Sequence, residues 1–543
     1  MLKRFFAMLL VGVLGGLLAS HALLAQTVST RPAAQAPAAK GPRPDQFKYP
    51  PLDFKPPKAA EFRTVLANGL VVYIAEDHEI PWFEAALLSP VISGGGGMMG
   101  GRGRGASDGN WAQARGAGGT GGRAFLEPLD KLGVEGLTGA LARSGGTTSM
   151  TPDQINERMD FLAGSVSATS LSLHIRHLDE GLKIWLDLLN NPAFPEDRLQ
   201  REKQAMMPGI RNRNRNISTV ASRTFRRLVY GDGSPIVAEP TEATLNAITR
   251  DDLVAWHRKY WGANNAILVV SGDFKKAEML QKLEATFGKW RNAEKAAPPW
   301  PKPEQTTKAG VYMVQPQGVT PNQGIIQIGH IGVTLDHPDT PALDLMNYTL
   351  GGGSFSSRIT KIVRTDNGLA YTANSSLQSP IHYPGVFQAF CQTKNETVVF
   401  AAQLMLNEIE RMRAGEVTEQ DVAFAKAARM SAFPAMFSDV AGNLRNFASL
   451  ELEGRPRDYY ETYLDRYSRV TLADVKRVAQ QYLQPDKLIV MVAGNIDECK
   501  AGAGKLLPNQ GTIDAMAAKF GGRTMDGLAK KFGDGTVHVV TLK

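Results

Sequence analysis

The chain repeats itself at a spacing of 222 residues. Thr249-x-x-Asp252, Tyr260 and the run Val269-Val270-Ser271-Gly272-Asp273 recur as Thr471-x-x-Asp474, Tyr482 and Met491-Val492-Ala493-Gly494-Asn495 (471 − 249 = 222; 482 − 260 = 222; 494 − 272 = 222). Pro195-Glu196-Asp197 returns as Thr418-Glu419-Gln420-Asp421 within a residue of that offset. A helix start, a helix-end aromatic and an apolar strand held in register over such a distance imply two copies of one α+β unit. The expected architecture is therefore two tandem homologous domains, each an antiparallel sheet packed by helices. The chain's 543 residues, 43% hydrophobic and 21% charged, leave room for both cores. The net charge of +8 is spread over the chain without a polybasic run, which excludes a nucleic-acid role. Two cysteines, Cys391 and Cys499, allow one disulfide and no disulfide scaffold.

Around the repeat, composition marks the remaining segments. Lys3 and Arg4 precede an apolar run over 5–19, and small residues follow near Ala22 and Ala25. This is the pattern of a secretory leader over 1–25, too short for a stable span once cleaved, and it predicts export to the periplasm of a Gram-negative-type bacterium. The Ala/Pro-rich stretch 26–60 reads as a disordered tether. The first domain is expected over 61–295, a Pro-rich linker over 296–308, the second domain over 309–497 and a C-terminal extension over 498–543. Inside the first domain, 94–122 holds 14 glycines in 29 residues and reads as a mobile surface insertion. His174 and His177 stand three apart in a stretch that alternates like a strand, which would send them to opposite faces.

Residues 350–371, LGGGSFSSRITKIVRTDNGLAY, carry the densest pattern. A helix over 341–350 should stop at Gly351, Gly352 and Gly353, where residues lacking a Cβ favour open or left-handed backbone. A second helix is expected over 357–365, a turn at Asp366-Asn367-Gly368, and a strand entered at Leu369, with Tyr371 just inside it. Arg364 and Tyr371 could then donate to one carbonyl or carboxylate as a substrate clamp beside a flexible glycine loop. The same residues also fit an Arg placed at a helix end by the dipole and a tyrosine in the core.

GGGSFSSRI followed by R-x-x-x-G-L-A-Y resembles the second domain of the insulinase–pitrilysin family of zinc peptidases, in its two-domain bacterial and mitochondrial-processing branch. In that family an Arg and a Tyr seven positions apart bind the substrate, and here 371 − 364 = 7. The resemblance implies that Arg364, Tyr371, Gly351, Gly352 and Gly353 bind substrate. It also places the family's zinc helix at 129–147, where two histidines one turn apart would hold the metal and an intervening Glu would act as base. The corresponding residues are Gly136, Gly139 and Ala140, and Pro208-Gly209 stands where a further Glu ligand belongs. The chain itself thus offers neither metal ligands nor a catalytic residue, and needs no cofactor. What the resemblance implies is a non-zinc-binding subunit of a heteromeric zinc peptidase, with zinc in an H-x-x-E-H partner chain and a peptide or unfolded polypeptide as substrate. The alternative is an inactive structural or peptide-binding pseudopeptidase.

Overall fold

The computed structural model describes residues 54–92, 126–297, 299–353, 355–502 and 509–542. The leader at 1–25, the 26–60 tether up to residue 53 and the glycine-rich insertion at 94–122 lie outside the described residues.

The first half forms a six-stranded sheet from β1 (Arg63–Val65), β2 (Val71–Glu76), β3 (Trp82–Leu88), β4 (Ser165–Ser167), β5 (Ser170–His174) and β6 (Ile267–Gly272), in the order β1-β2-β6-β3-β5-β4. The second half repeats this with β7 (Gly310–Val314), β8 (Gln323–Ile331), β9 (Ala373–Gln378), β10 (Val386–Lys394), β11 (Ile489–Ala493) and β12 (Val537–Val539), in the order β12-β7-β11-β8-β10-β9. The architecture is α+β, as the repeat predicts. The sheets are mixed rather than purely antiparallel, because β6 and β11 return after long helical excursions and pair parallel to β2 and β7. The chain folds back at residues 168–169 to form the β4–β5 hairpin.

The helices follow their sequence signals. In the first half these are α1 (Val134–Ser144), α2 (Pro152–Phe161), α3 (Leu178–Asn190), α4 (Glu196–Asn212), α5 (Ile217–Tyr230), α6 (Arg250–Tyr260) and α7 (Lys276–Thr286). In the second they are α8 (Thr340–Asn347), α9 (Val398–Arg413), α10 (Glu419–Ala432), α11 (Val440–Leu452), α12 (Leu472–Tyr482), α13 (Gln510–Phe520) and α14 (Met525–Lys531). Thr249 and Thr471 each close a capping box with the Asp three residues on, so α6 and α12 start at equivalent points. α4 runs on through Pro208 to Asn212.

The two halves exchange helices. β6 and β11 are buried on both faces, which is why they read as unbroken apolar runs. On one face of the first sheet, Val72, Ile74, Leu268 and Val270 join the core under the first half's own helices. On the other face Tyr73, Ala75, Ile267 and Val269 belong to the second half's core, with Leu444 and Phe447 of α11. Reciprocally, Val314, Ile325, Ile489, Met491 and Ala493 of the second sheet pack with Val220, Phe225 and Val229 of α5. α5 and α11 occupy equivalent places in the repeat, so each half covers the outer sheet face of the other.

Two further segments are more integrated than their composition suggests. Phe54, expected in a disordered tether, packs its ring 5.9 Å from Phe433 and 5.8 Å from Phe437. In the 498–543 stretch, α14 buries Met525, Leu528 and Ala529, and β12 pairs parallel with β7. β12 takes the place beside β7 that β1 takes beside β2. Cys391 and Cys499 are both buried free thiols, and burial pushes each up to about 12.

Candidate functional site

The 340–378 segment is built by close backbone approach. α8 ends at Asn347 and continues as a wider π-type turn over Tyr348–Gly352, so the glycines do not stop the helix at Leu350. None of Gly351, Gly352 and Gly353 has a positive φ. Their need for a missing Cβ is steric. On Gly351 it would lie 2.4 Å from the Ser375 backbone nitrogen, on Gly352 2.5 Å from the Asn347 amide, and on Gly353 2.8 Å from the Tyr348 carbonyl. Ser375 Oγ donates to Asn347 Oδ1 at 2.7 Å, tying this turn to β9. The expectation of a flexible glycine loop is therefore corrected: Gly351 and Gly353 are buried in a packed turn. Gly351→Ala should destabilise the protein by about 1–3 kcal/mol, the usual cost of overpacking, read as a lower denaturant midpoint at unchanged slope.

The next helix starts as Arg358–Thr360 and widens into a second π-type turn, Lys361–Asp366. Gly368, at φ 62°, closes it in the left-handed region; its N–H donates to the Arg364 carbonyl and the Leu369 N–H to that of Val363, each at 3.0 Å. The Thr360 hydroxyl donates to the Ala373 carbonyl at 2.7 Å, fixing the helix against β9. Such π-type turns recur at functional sites. Here they place Arg364 on the last turn and Tyr371 two residues ahead of β9, not inside a strand.

The structure brings Arg364 and Tyr371 together and adds a residue that the motif reading missed. The Arg364 guanidinium carbon lies 4.7 Å from the Tyr371 ring centroid and 4.4 Å from that of Phe355. Tyr371 is 83% exposed and Phe355 61%, so neither is a core residue. Among the described residues no carboxylate lies within ion-pair distance of Arg364; the nearby Asp366 is taken by Lys361 at 2.9 Å. The Tyr371 hydroxyl makes no hydrogen bond among the described residues. The signal for Phe355 was its lone aromatic ring within a run of Gly and Ser.

The helix that the resemblance sets at 129–147 is α1. Its N-terminus is capped from a distance: Glu127 accepts from the backbone N–H of Gly133 at 3.1 Å and of Glu135 at 2.8 Å. A Cβ on Gly136 would meet nothing within 4 Å, and neither would one on Gly209 in α4. Space is present at these positions, but Gly136, Gly139, Ala140, Pro208 and Gly209 supply no imidazole, thiolate or carboxylate, so the residues present do not fit a zinc ion. Among the described residues no three His, Cys, Asp or Glu side chains are grouped to hold a metal. Beside this helix, the buried Lys203 ammonium donates to the Ile248 carbonyl and, at 3.4 Å, to that of Asn246, capping a short helix end. His174 and His177 are not on opposite faces. β5 ends at His174, and the 3-10 turn Ile175–His177 brings the ring centroids to 6.3 Å.

The peptidase M16 inactive domain family matches residues 247–429. The chain is similar to an uncharacterized zinc protease of Rickettsia bellii (strain RML369-C), 25% identical over 309 residues, which span 54% of this chain and 72% of that protein. It is also similar to the non-peptidase homolog YmxG of Helicobacter pylori (strain ATCC 700392 / 26695), 20% identical over 323 residues, spanning 58% and 72%. A solved peptidase M16 inactive domain from Pseudomonas fluorescens aligns with a TM-score of 0.62 at 21% identity, covering 82% of this chain and 99% of that one. At that identity the structural likeness speaks for the fold.

Proposed function

We propose that this chain, a member of the M16 (insulinase–pitrilysin) peptidase family without zinc ligands, is the substrate-gripping subunit of a heteromeric peptidase. In this reading an H-x-x-E-H chain holds the zinc, and Arg364 and Tyr371 hold the peptide from the facing subunit. The observation that carries the reading is a guanidinium held over two exposed aromatic rings, with no acid among the described residues to neutralise it and no described partner for the adjacent phenol. Both groups donate hydrogen bonds, and both are available to a carbonyl or carboxylate of a bound peptide. A purely structural role gives no reason to leave a cation unpaired and two rings in water.

The test is purification from the native host under gentle conditions. An H-x-x-E-H chain should accompany this one in equal amount, and elemental analysis should find about one zinc per pair. Separated from its partner, this chain should retain none. About one zinc on the isolated chain after dialysis against a weak chelator would overturn the assignment, and purification of the chain alone would favour the inactive scaffold.

Export completes the proposal. The leader directs the chain to the periplasm, and no helix among the described residues is long and apolar enough to cross a membrane. The mature protein should begin after Ala22 or Ala25 on N-terminal sequencing; finding Met1 intact in a soluble cytoplasmic fraction would refute export.

A further inference from the structure

The geometry around Arg364 points to a carboxylate as the group this chain grips: an acidic side chain or the free C-terminus of a peptide. The inference rests on the clamp reading and deepens it by naming the class of peptide selected. It also assigns Phe355 as a positioning residue.

Three observations support it. First, the charge of Arg364 is held over ring faces, at 4.4 Å from Phe355 and 4.7 Å from Tyr371, and not against an acid. Its planar fork of N–H donors is therefore left for a ligand, and that fork matches the two oxygens of a carboxylate. A neutral carbonyl accepts with one oxygen and leaves the charge uncompensated. Second, among the described residues the site offers Arg364 as its available cation and Tyr371 as its phenol. The neighbouring Lys361 is already paired with Asp366 at 2.9 Å, so the site's charge suits a monoanion. Third, the two exposed rings flank the guanidinium and offer apolar surface on which the stem of an acidic residue can rest. The chain's net charge of +8 favours approach of acidic peptides at low ionic strength.

Phe355 follows the three glycines whose backbone is locked by Ser375, Asn347 and Tyr348. Its ring lies 4.4 Å from the Arg364 guanidinium carbon and holds it in place by cation–π contact. Replacing it with leucine keeps apolar bulk and removes that contact.

The experiment uses the full chain alone and fluorescence anisotropy of three rhodamine-labelled peptides of one sequence. One carries an internal Glu and an amidated C-terminus, one the matching Gln with a free C-terminal acid, and one the Gln with an amide. At low salt at least one acid-bearing peptide should bind about tenfold tighter than the doubly neutral one, and which one does so separates side chain from terminus. Arg364→Gln should abolish the preference and Phe355→Leu should reduce it, with circular dichroism and an unchanged denaturant midpoint reporting that both variants fold. The inference is overturned if the three peptides bind alike, if none binds below about 1 mM, or if the preference survives Arg364→Gln. Because no partner is present, these outcomes bear on the carboxylate alone; the heteromeric reading is decided by the purification above and by turnover of the complex.

Discussion

Tyr371→Phe should lower peptide turnover by the partnered complex about 10²–10³-fold while leaving assembly intact. The substitution deletes one hydroxyl from a ring that is 83% exposed and retains the ring that lies under Arg364. Folding and the cation–π contact should therefore survive, and the loss should fall on the hydrogen bond to substrate. Peptide hydrolysis builds negative charge on the carbonyl oxygen, and a donor aimed at that oxygen helps most in the transition state. Removing one such donor elsewhere costs about 2.7–4 kcal/mol. The effect should appear in kcat more than in KM, because a ground-state contact alone would move KM. Arg364→Lys keeps a charge but loses the planar fork, and should mainly raise KM for acidic peptides. The decisive protein is the double variant, Tyr371→Phe with Arg364→Lys. Wild-type turnover by a complex carrying both changes would mean that the pair is ornamental and that the inactive-scaffold reading is right.

Much of the fold was legible because the repeat was local and cap-driven. Thr249-x-x-Asp252 and Thr471-x-x-Asp474 announce α6 and α12, and both capping boxes form. The apolar runs at 267–272 and 489–493 announce strands buried on both faces, and both are. What an amphipathic face cannot reveal is which surface it covers. Only the three-dimensional arrangement shows that α5 and α11 each lie on the sheet of the other half. The candidate site was legible in its residues and less so in its geometry. Tyr371 was expected inside a strand. The strand instead begins at Ala373, opposite Cys391 of β10, and this register leaves Tyr371 in solvent. The glycine run pointed to loose backbone because Gly permits it, whereas here the glycines admit neighbouring backbone. Phe355 acquires a role only once Arg364 is seen beside it, nine positions along the chain and across a turn.

Helix exchange makes the junction between halves the place where stability is most exposed, and Glu451 is its polar centre. On α11, it accepts from Arg63 Nε at 2.8 Å and Nη2 at 2.7 Å, and from the Tyr73 hydroxyl at 2.7 Å. Phe447, one helical turn earlier, packs its ring 5.8 Å from Phe62 and 6.3 Å from Tyr73. The carboxylate is 18% exposed and its Arg63 partner 20%. Glu451→Ala would leave the guanidinium and the phenol without their acceptor in a half-buried seam, and should cost about 1–3 kcal/mol. That is a large part of the total for a domain of ordinary stability. Because the second half's helix covers the first half's sheet, both halves should lose structure together. Burial alone would raise the Glu451 carboxyl above its usual value, but the hydrogen bonds from Arg63 and Tyr73 outweigh it and hold the group below that value. A depressed folded-state value gives stability that is fully present above the unfolded value of about 4.3 and is lost as pH falls through the folded one. Wild type should therefore exceed a Glu451→Gln variant by a constant margin from pH 7 down to about 5, with the two curves converging below about pH 4. Denaturant melts across that range provide the check, and a margin that persists undiminished at pH 3 would show that the seam is held by the aromatic stack alone.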